Sequence, residues 1–71
     1  MKNVALYGLG YIGLPTAVIL AEHNYKVYGI DINKKIVELV NKGLVHISEP
    51  SLENRLKKQV SLKTISAHYI S

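Results

Sequence analysis

The sequence is informative first through what it lacks. Its 71 residues include no cysteine, tryptophan or phenylalanine, and only two prolines and one methionine. Without cysteine the chain forms neither a disulfide nor a thiolate metal site, and its three histidines are too scattered to suggest metal-ligand spacing. No apolar run reaches the roughly 20 residues of a membrane helix, and the N-terminus shows no signal-peptide pattern. We therefore expect a small cytoplasmic protein with no metal site and no membrane partner.

Acidic residues are also in the minority. The chain has nine Lys and Arg against five Asp and Glu, which gives a net charge of +4. A basic surface can bind nucleic acid, but neither a helix-turn-helix pattern nor an aromatic stacking platform accompanies it here. We interpret the excess charge as the solvated faces of helices and expect no nucleic-acid partner.

The most specific motif is Gly8-Leu9-Gly10-Tyr11-Ile12-Gly13, which directly follows a short apolar run. In a Rossmann βαβ unit the first glycine permits the turn out of the strand. The second lets a pyrophosphate approach the backbone, and the third lets the helix pack close to the strand. We predict a dinucleotide site formed by Gly8, Gly10 and Gly13 together with the backbone amides of Tyr11 and Ile12. The alternative is a purely structural turn, with the Tyr11 ring packed on the surface.

Asp31 closes the next apolar run, at the position where a carboxylate accepts hydrogen bonds from the adenosine ribose. A carboxylate there repels the 2′-phosphate of NADP, so NAD is the predicted cofactor. Lys34 and Lys35 lie close in sequence and could neutralise a 2′-phosphate, so NADP is the alternative cofactor. The structural alternative for Asp31 is an aspartate that caps a helix or is simply solvated.

Hydrophobic periodicity divides the rest of the chain into alternating strands and helices. Leu14, Ala17, Val18 and Ala21 have the spacing of one helical face, Asn33 is a candidate N-cap, and Gly43 a candidate helix end. The predicted strands are Asn3–Tyr7, Lys26–Ile30 and Leu62–Ile65. The first predicted helix runs from about Ile12 to His23. The second runs from Asn33 to Gly43 and should bury Ile36, Leu39 and Val40. The third begins at Pro50 and should bury Leu52, Leu56 and Val60.

This β-α-β-α-α-β order predicts an α/β fold, a truncated Rossmann-type half with three parallel strands and crossover helices. In the complete doubly wound sheet the first strand lies in the middle, between strands two and four. This chain ends before a fourth strand, so the first strand should be an exposed edge with the sequence of a buried strand. Such an edge is a template for pairing, and we expect a homo-oligomer formed through it.

Three blocks of residues carry a family resemblance: Gly8–Ala17, Gly29–Asn33, and Asn41–Gly43 with His46–Leu52. Together they resemble the N-terminal part of the UDP-glucose/GDP-mannose dehydrogenase family. The His46-Ile47-Ser48-Glu49-Pro50 form is most similar to its UDP-N-acetyl-D-mannosamine dehydrogenase branch. Hydroxyacid dehydrogenases share the glycine turn but generally lack these further blocks.

The resemblance implies an NAD-dependent oxidation of a nucleotide sugar at its C6 hydroxyl, carried out by a longer protein with a catalytic cysteine. Residues 1–71 would be only a partial NAD-binding domain, with the substrate and C-terminal domains absent. With no cysteine, this chain is expected to have no catalytic residue and no activity by itself, and a UDP-sugar would be a partner only of a full-length protein. We interpret Glu49 as a turn residue and His46 as a packed loop histidine.

Two other functions stay open from the sequence. The chain could be a stand-alone nucleotide-binding or regulatory module, which would bind an adenine nucleotide as a monomer. It could also be a non-functional remnant that associates through its first strand, and its solubility would then fall with concentration or salt.

Overall fold

Six elements follow one another in the predicted order. The computed structural model describes all residues from 1 to 71. The three strands form one parallel sheet in the order β1-β2-β3, which confirms the predicted fold class. In chain order the elements are β1 (Lys2–Tyr7), α1 (Gly13–Glu22), β2 (Tyr25–Asp31), α2 (Lys34–Asn41), α3 (Leu52–Ser61) and β3 (Ile65–Tyr69).

Helix α1 has the buried face that the sequence predicts. Its four buried residues are Leu14, Ala17, Val18 and Ala21. Pro15 lies in the first turn, where it removes no intrahelical hydrogen bond. After the helix, Asn24 adopts a left-handed conformation with φ 68°, which reverses the chain into β2.

Helix α2 begins and ends as predicted but presents a different face. The Asn33 side chain accepts hydrogen bonds from the amides of Lys35 and Ile36, and Gly43 adopts φ +76° after the helix. The predicted inward face of Ile36, Leu39 and Val40 was partly wrong. Val37 and Val40 are buried, whereas Ile36 and Leu39 are only half-buried. Both valines lie over the sheet, and Ile36 and Leu39 lie on the sides of the helix, where they are partly exposed to solvent.

Helix α3 begins at Leu52, two residues later than the proline-based prediction. Pro50 precedes Ser51, which occupies the N-cap position with a left-handed φ of 67° and makes no side-chain capping bond. Leu52 and Leu56 are buried as predicted, and Val60 is half-buried. None of the three helices is long and apolar enough to cross a membrane.

The third strand lies further along the chain than predicted. Leu62 is 58% exposed and caps α3, Lys63 has φ 62°, and β3 starts only at Ile65. The Thr64 hydroxyl donates to the carbonyl and side-chain oxygens of Gln59, at 3.0 and 2.7 Å, so Thr64 finishes the helix end. Ile65 is the one residue that β3 shares with the predicted strand, and the rest of β3, residues 66–69, lies beyond it.

The hydrophobic core lies on one face of the sheet. Successive strand residues point to opposite faces, and the buried strand residues Val27, Ile65 and Ala67 all lie on the same one. They form a single cluster with buried residues from all three helices. The opposite face, which carries Tyr7, Tyr28 and His68, contributes nothing to that cluster. We call it the uncovered face.

Strand β1 is an edge, as predicted, but it is not buried as its sequence suggested. Val4 and Leu6 are half-buried, and the other four residues of the strand are exposed. The reason is topological. A parallel strand is buried when it has a neighbour on each side and layers on both faces, and β1 has one neighbour and one covered face.

Candidate functional site

The predicted glycine turn lies at the carboxyl end of β1 and leads directly into α1. Gly8 has φ +93°, a conformation that other residues rarely adopt, and its amide donates to the carbonyl of Ile30 at 2.7 Å. The turn is thereby fixed to β2 where it leaves the sheet. This is the end of a parallel sheet at which ligands bind in doubly wound folds.

Gly13 marks the point where α1 approaches the turn most closely. A Cβ atom built on Gly13 would lie 1.8 Å from the carbonyl oxygen of Gly8, a distance that no side chain can occupy. Helix α1 can therefore sit at this depth only if residue 13 is glycine. This is the close helix–strand packing that the third glycine of the motif was predicted to provide.

Gly10 differs, because the protein itself does not require a glycine there. A Cβ atom on Gly10 would meet no heavy atom within 4 Å, and the residue has no left-handed φ. The space in front of it is open to the outside. A glycine that the fold does not need is the expected feature where a ligand must approach the backbone.

The backbone amides around Gly10 have no partner within the protein. Those of Gly10, Tyr11, Ile12 and Gly13 donate no hydrogen bond within the chain, and Ile12, at the N-cap of α1, makes no side-chain capping bond. Leu14 is the first amide of the helix with a partner, the carbonyl of Gly10 at 3.0 Å. Unpaired amides at a helix N-terminus favour an anion both by hydrogen bonding and through the helix dipole.

Asp31, the last residue of β2, lies against the same turn. Its Oδ2 accepts from the amide of Leu9 at 2.8 Å, and its Oδ1 accepts from the amide of Asn33 at 2.8 Å. A carboxylate has about four lone-pair positions. Each oxygen of Asp31 therefore keeps acceptor capacity for a further donor such as a ribose hydroxyl.

These contacts favour the ionised form of Asp31. The hydrogen bond from the Leu9 amide is the main factor that lowers the pKa of the carboxyl below its ordinary value, although partial burial opposes it. The amides of Asn33 and Ile32 and the charge of His46 act in the same direction as Leu9. The site therefore presents a negative charge close to the open turn.

The bond between Leu9 and Asp31 was not predicted from the sequence. The fully buried Leu9 side chain fixes that amide, and it packs where Gly29 leaves room: a Cβ on Gly29 would come within 2.7 Å of Leu9. In the sequence, only Gly29, two residues before Asp31, could have indicated this packing of Leu9.

Large apolar side chains surround the open turn. Tyr11 is 81% exposed, Ile12 82% and Ile32 78%. The Tyr11 ring is therefore not packed on the surface of the protein, which was the structural alternative, and it is free to cover a ligand.

The two remaining candidate residues lie in the loop between α2 and α3. His46 is half-buried, and both of its ring nitrogens are buried without a hydrogen-bond partner. Glu49 is exposed, and its carbonyl accepts from the amide of Leu52 at 3.2 Å. No group of three or more His, Cys, Asp or Glu side chains could hold a metal ion. Neither residue adds a donor to the turn.

The residues at the turn fit a dinucleotide. The open space at Gly10 and the four free amides suit a pyrophosphate, and the ionised Asp31 suits a diol. Both features lie at one end of the sheet, next to exposed apolar side chains that can cover a flat ring.

Comparison with known proteins points in the same direction. The model of the UDP-glucose/GDP-mannose dehydrogenase family, NAD binding domain, matches residues 2–70. UDP-N-acetyl-D-mannosamine dehydrogenase of Pyrococcus horikoshii is 48% identical over 60 residues, which are 84% of this chain and 14% of that protein. The enzyme of the same name from Campylobacter jejuni is 58% identical over 52 residues, which are 73% of this chain and 13% of that protein.

A solved structure is similar over almost the whole chain. The structure of a UDP-D-ManNAc dehydrogenase from Pyrococcus horikoshii superposes with a TM-score of 0.90 at 41% identity. The superposition covers 99% of this chain and 16% of that one. The chain therefore spans about one seventh of the length of the relatives that it matches.

Proposed function

Because this chain belongs to the UDP-glucose/GDP-mannose dehydrogenase family and matches its NAD-binding domain, we propose that it holds NAD through Gly8, Gly10, Tyr11, Ile12, Gly13 and Asp31. The observation that carries the proposal is the open turn, where four consecutive amides have no partner within the chain and a side chain at position 10 would occupy the open space in front of the backbone. The pyrophosphate would bind to those amides, and Asp31 would accept from the adenosine ribose.

The negative charge of Asp31 also determines which dinucleotide fits. Its carboxylate favours a free ribose hydroxyl and repels a 2′-phosphate, so NAD should bind more tightly than NADP. Lys34 and Lys35, the first two residues of α2, are exposed and lie close to Asp31 in sequence. The alternative is that one of these lysines neutralises the 2′-phosphate, so that the site also binds NADP.

We propose that residues 1–71 form a partial NAD-binding domain that is inactive by itself. Bound NAD supplies a hydride acceptor, and this chain's own residues bind and orient it. The chain has no cysteine for the covalent chemistry that the family resemblance implies, and it spans a small part of its relatives. The names of those relatives support UDP-N-acetylmannosamine as the substrate of a full-length protein. A role in polysaccharide biosynthesis and a cytoplasmic location stay predictions.

A titration of the purified chain tests NAD binding directly. In two-dimensional NMR spectra, NAD should shift the amide resonances of residues 10–13 and leave that of Ile65, at the end of β3 away from Asp31, unchanged. Gly10→Ala fits the free structure but places a methyl group in the open space, so it should abolish these shifts. Glu38→Ala removes an exposed carboxylate from α2 and should leave them intact. A folded spectrum that millimolar NAD does not change would contradict the proposal.

Two further measurements separate the alternatives. Equal shifts with AMP and with NAD would favour a module that recognises only the adenine nucleotide. Inactivity is tested by mixing the chain with NAD and UDP-N-acetylmannosamine, where we expect no NADH to form. A steady production of NADH would overturn the claim that the chain is inactive.

A second candidate function is self-association. The exposed backbone of β1 is an unpaired strand edge without an acidic residue, and such edges pair with other chains. We propose that the chain forms a homo-oligomer through β1, which sedimentation at increasing protein concentration would detect.

A further inference from the structure

The Asp31 carboxylate is held by two backbone amides that differ in what they fix. The amide of Asn33, 2.8 Å from Oδ1, lies two residues further along the chain, so this bond is local and moves with the end of β2. The amide of Leu9, 2.8 Å from Oδ2, belongs to the glycine turn and is 22 residues away in sequence. Asp31 forms no ion pair. The bond from Leu9 is therefore the one hydrogen bond that ties this carboxylate to the turn.

That bond connects the two parts of the proposed cofactor site. The unpaired amides of residues 10–13 would bind the pyrophosphate, and Asp31 would accept from the ribose diol. Pyrophosphate and ribose are covalently joined in a dinucleotide, so both are bound well only when the two protein groups are correctly spaced. The Leu9 amide immediately precedes the pyrophosphate amides in the chain. Its bond to Asp31 therefore sets that spacing.

The Leu9 side chain anchors this amide over β2. The side chain is fully buried above Gly29, where a Cβ atom would come within 2.7 and 2.9 Å of the two Leu9 Cδ atoms. Gly29 has no left-handed φ, so its backbone conformation does not need a glycine. A glycine inside a strand weakens the strand and often marks the close approach of another segment. The room that Leu9 needs accounts for Gly29.

We propose that Leu9 and Gly29 are positioning residues whose packing sets the preference of the cofactor site for NAD over NADP. Leu9 acts through its backbone amide, and Gly29 acts through the space that it leaves for the leucine. The inference rests on the proposed NAD binding and adds residues that determine its specificity. When Leu9 is displaced, the carboxylate loses its link to the turn, so it holds the ribose less firmly and repels a 2′-phosphate less strongly. The affinity for NAD should then fall more than the affinity for NADP.

Two substitutions that move one carbon atom between these residues test the packing. Gly29→Ala adds a methyl group against Leu9 and should displace it. Leu9→Val removes one carbon, so the double variant conserves the total volume and should restore the packing. In NMR titrations, the ratio of the NADP to the NAD dissociation constant should be about tenfold smaller for Gly29→Ala, as expected for a lost hydrogen bond to a charged group. The double variant should recover the original ratio.

The pKa of the Asp31 carboxyl gives a second readout that needs no cofactor. Loss of the Leu9 bond in Gly29→Ala should bring this pKa up toward its ordinary value of 3.8, and the double variant should lower it again. If Gly29→Ala does not fold, Leu9→Val alone carries the test. Its shorter side chain fills the recess poorly, so the ratio and the pKa should change in the same directions by smaller amounts.

A matched control separates positioning from general stability. Leu56→Val removes one carbon from another fully buried leucine, which lies on α3 and makes no contact with the carboxylate through its amide. This variant should lose stability but keep both the ratio of dissociation constants and the pKa of Asp31. Changes in Leu56→Val as large as those in Gly29→Ala would mean that any loss of core packing has this effect, which would overturn the inference.

The other outcomes distinguish this inference from the proposed function. If the original chain does not bind NAD, both fail. If it binds NAD no more tightly than NADP, or if Gly29→Ala keeps the original ratio and pKa, NAD binding stands and the positioning role is wrong. If the double variant stays as impaired as Gly29→Ala, the close approach of residues 9 and 29 is not the cause, and the inference is likewise overturned.

Discussion

At the scale of single residues, the three glycines of the turn differ in whether and why the fold requires a glycine at each position. Gly8 is required by its backbone conformation and Gly13 by the contact with the Gly8 carbonyl, whereas Gly10 has neither requirement. Substitutions can therefore separate what the fold needs from what a ligand needs.

Gly13→Ala should destabilise the chain by about 3 kcal/mol, because its methyl group would lie 1.8 Å from a backbone oxygen and α1 would have to move away from β1. Urea or thermal unfolding measures this. Gly10→Ala is the matched control and should change stability by less than about 0.5 kcal/mol. Equal losses for both variants would show that α1 does not pack as described.

Asp31→Asn should cost about 1–2 kcal/mol at neutral pH, because an amide cannot replace both charge-assisted hydrogen bonds. The folded-state pKa of Asp31 lies below its ordinary value of 3.8. The carboxylate therefore stabilises the fold above the ordinary pKa, and this contribution is lost as the pH falls through the lowered one.

Unfolding free energies measured from neutral to acidic pH test this prediction. The gap between the original chain and Asp31→Asn should be constant above about pH 5 and should close below the ordinary pKa. Glu38→Gln, at an exposed site on α2, should show little gap at any pH. A gap for Asp31→Asn that persists in acid would mean that its charge is not what stabilises the turn.

Sequence alone predicted which residues surround the turn but not what they bind within the protein. The glycine spacing and the position of Asp31 have a fixed chemical meaning, so they could be read directly. The hydrogen bond from Leu9 to Asp31 and the burial of the His46 ring nitrogens without a hydrogen-bond partner depend on the three-dimensional packing of residues distant in sequence. No local pattern encodes such contacts.

At the scale of elements, prediction was best where a periodic pattern had clear end signals. Helix α1 has its buried face as predicted, and Asn33 and Gly43 mark the ends of α2. Strand β3 was misplaced because its sequence, Ile65-Ser66-Ala67-His68-Tyr69, alternates with small and polar residues that are also common in loops. Its position is decided by Thr64, which closes α3, and by pairing with β2.

The two N-cap positions of α2 and α3 should respond differently to the same substitution. Asn33→Ala removes two hydrogen bonds to the first turn of α2 and should cost about 1 kcal/mol. Ser51→Ala removes no capping bond and should have little effect. Thermal unfolding of both variants measures the difference, and a larger loss for Ser51→Ala would contradict the capping described for α2.

At the scale of the whole molecule, the sheet has helices on one face and an uncovered second face. The sequence could not show this, because Tyr28 and Ile30 have the apolar character of strands buried on both sides, yet both are only half-buried. Sequence patterns record what a residue is suited to contact. They do not record whether the partner for that contact lies within residues 1–71.

Salt should promote the association of this basic chain. Each copy carries a net charge of +4, so two copies repel one another at low ionic strength. The screening length falls from about 30 Å at 0.01 M salt to about 8 Å at 0.15 M. The associated fraction measured by sedimentation should therefore rise with sodium chloride, and a fall would indicate that attraction between charges holds the copies together.

The central position of β2 has a consequence for how the molecule opens. Its amides alternate between β1 and β3, so each is released only when a neighbouring strand detaches. Gly8 donates to β2, so alternate residues of β1 face β2, and the amides of Asn3, Ala5 and Tyr7 point away from the sheet and face water without any such event. In heavy water the β1 edge of a single chain should therefore take up deuterium first and β2 last, which makes local opening of the sheet observable strand by strand.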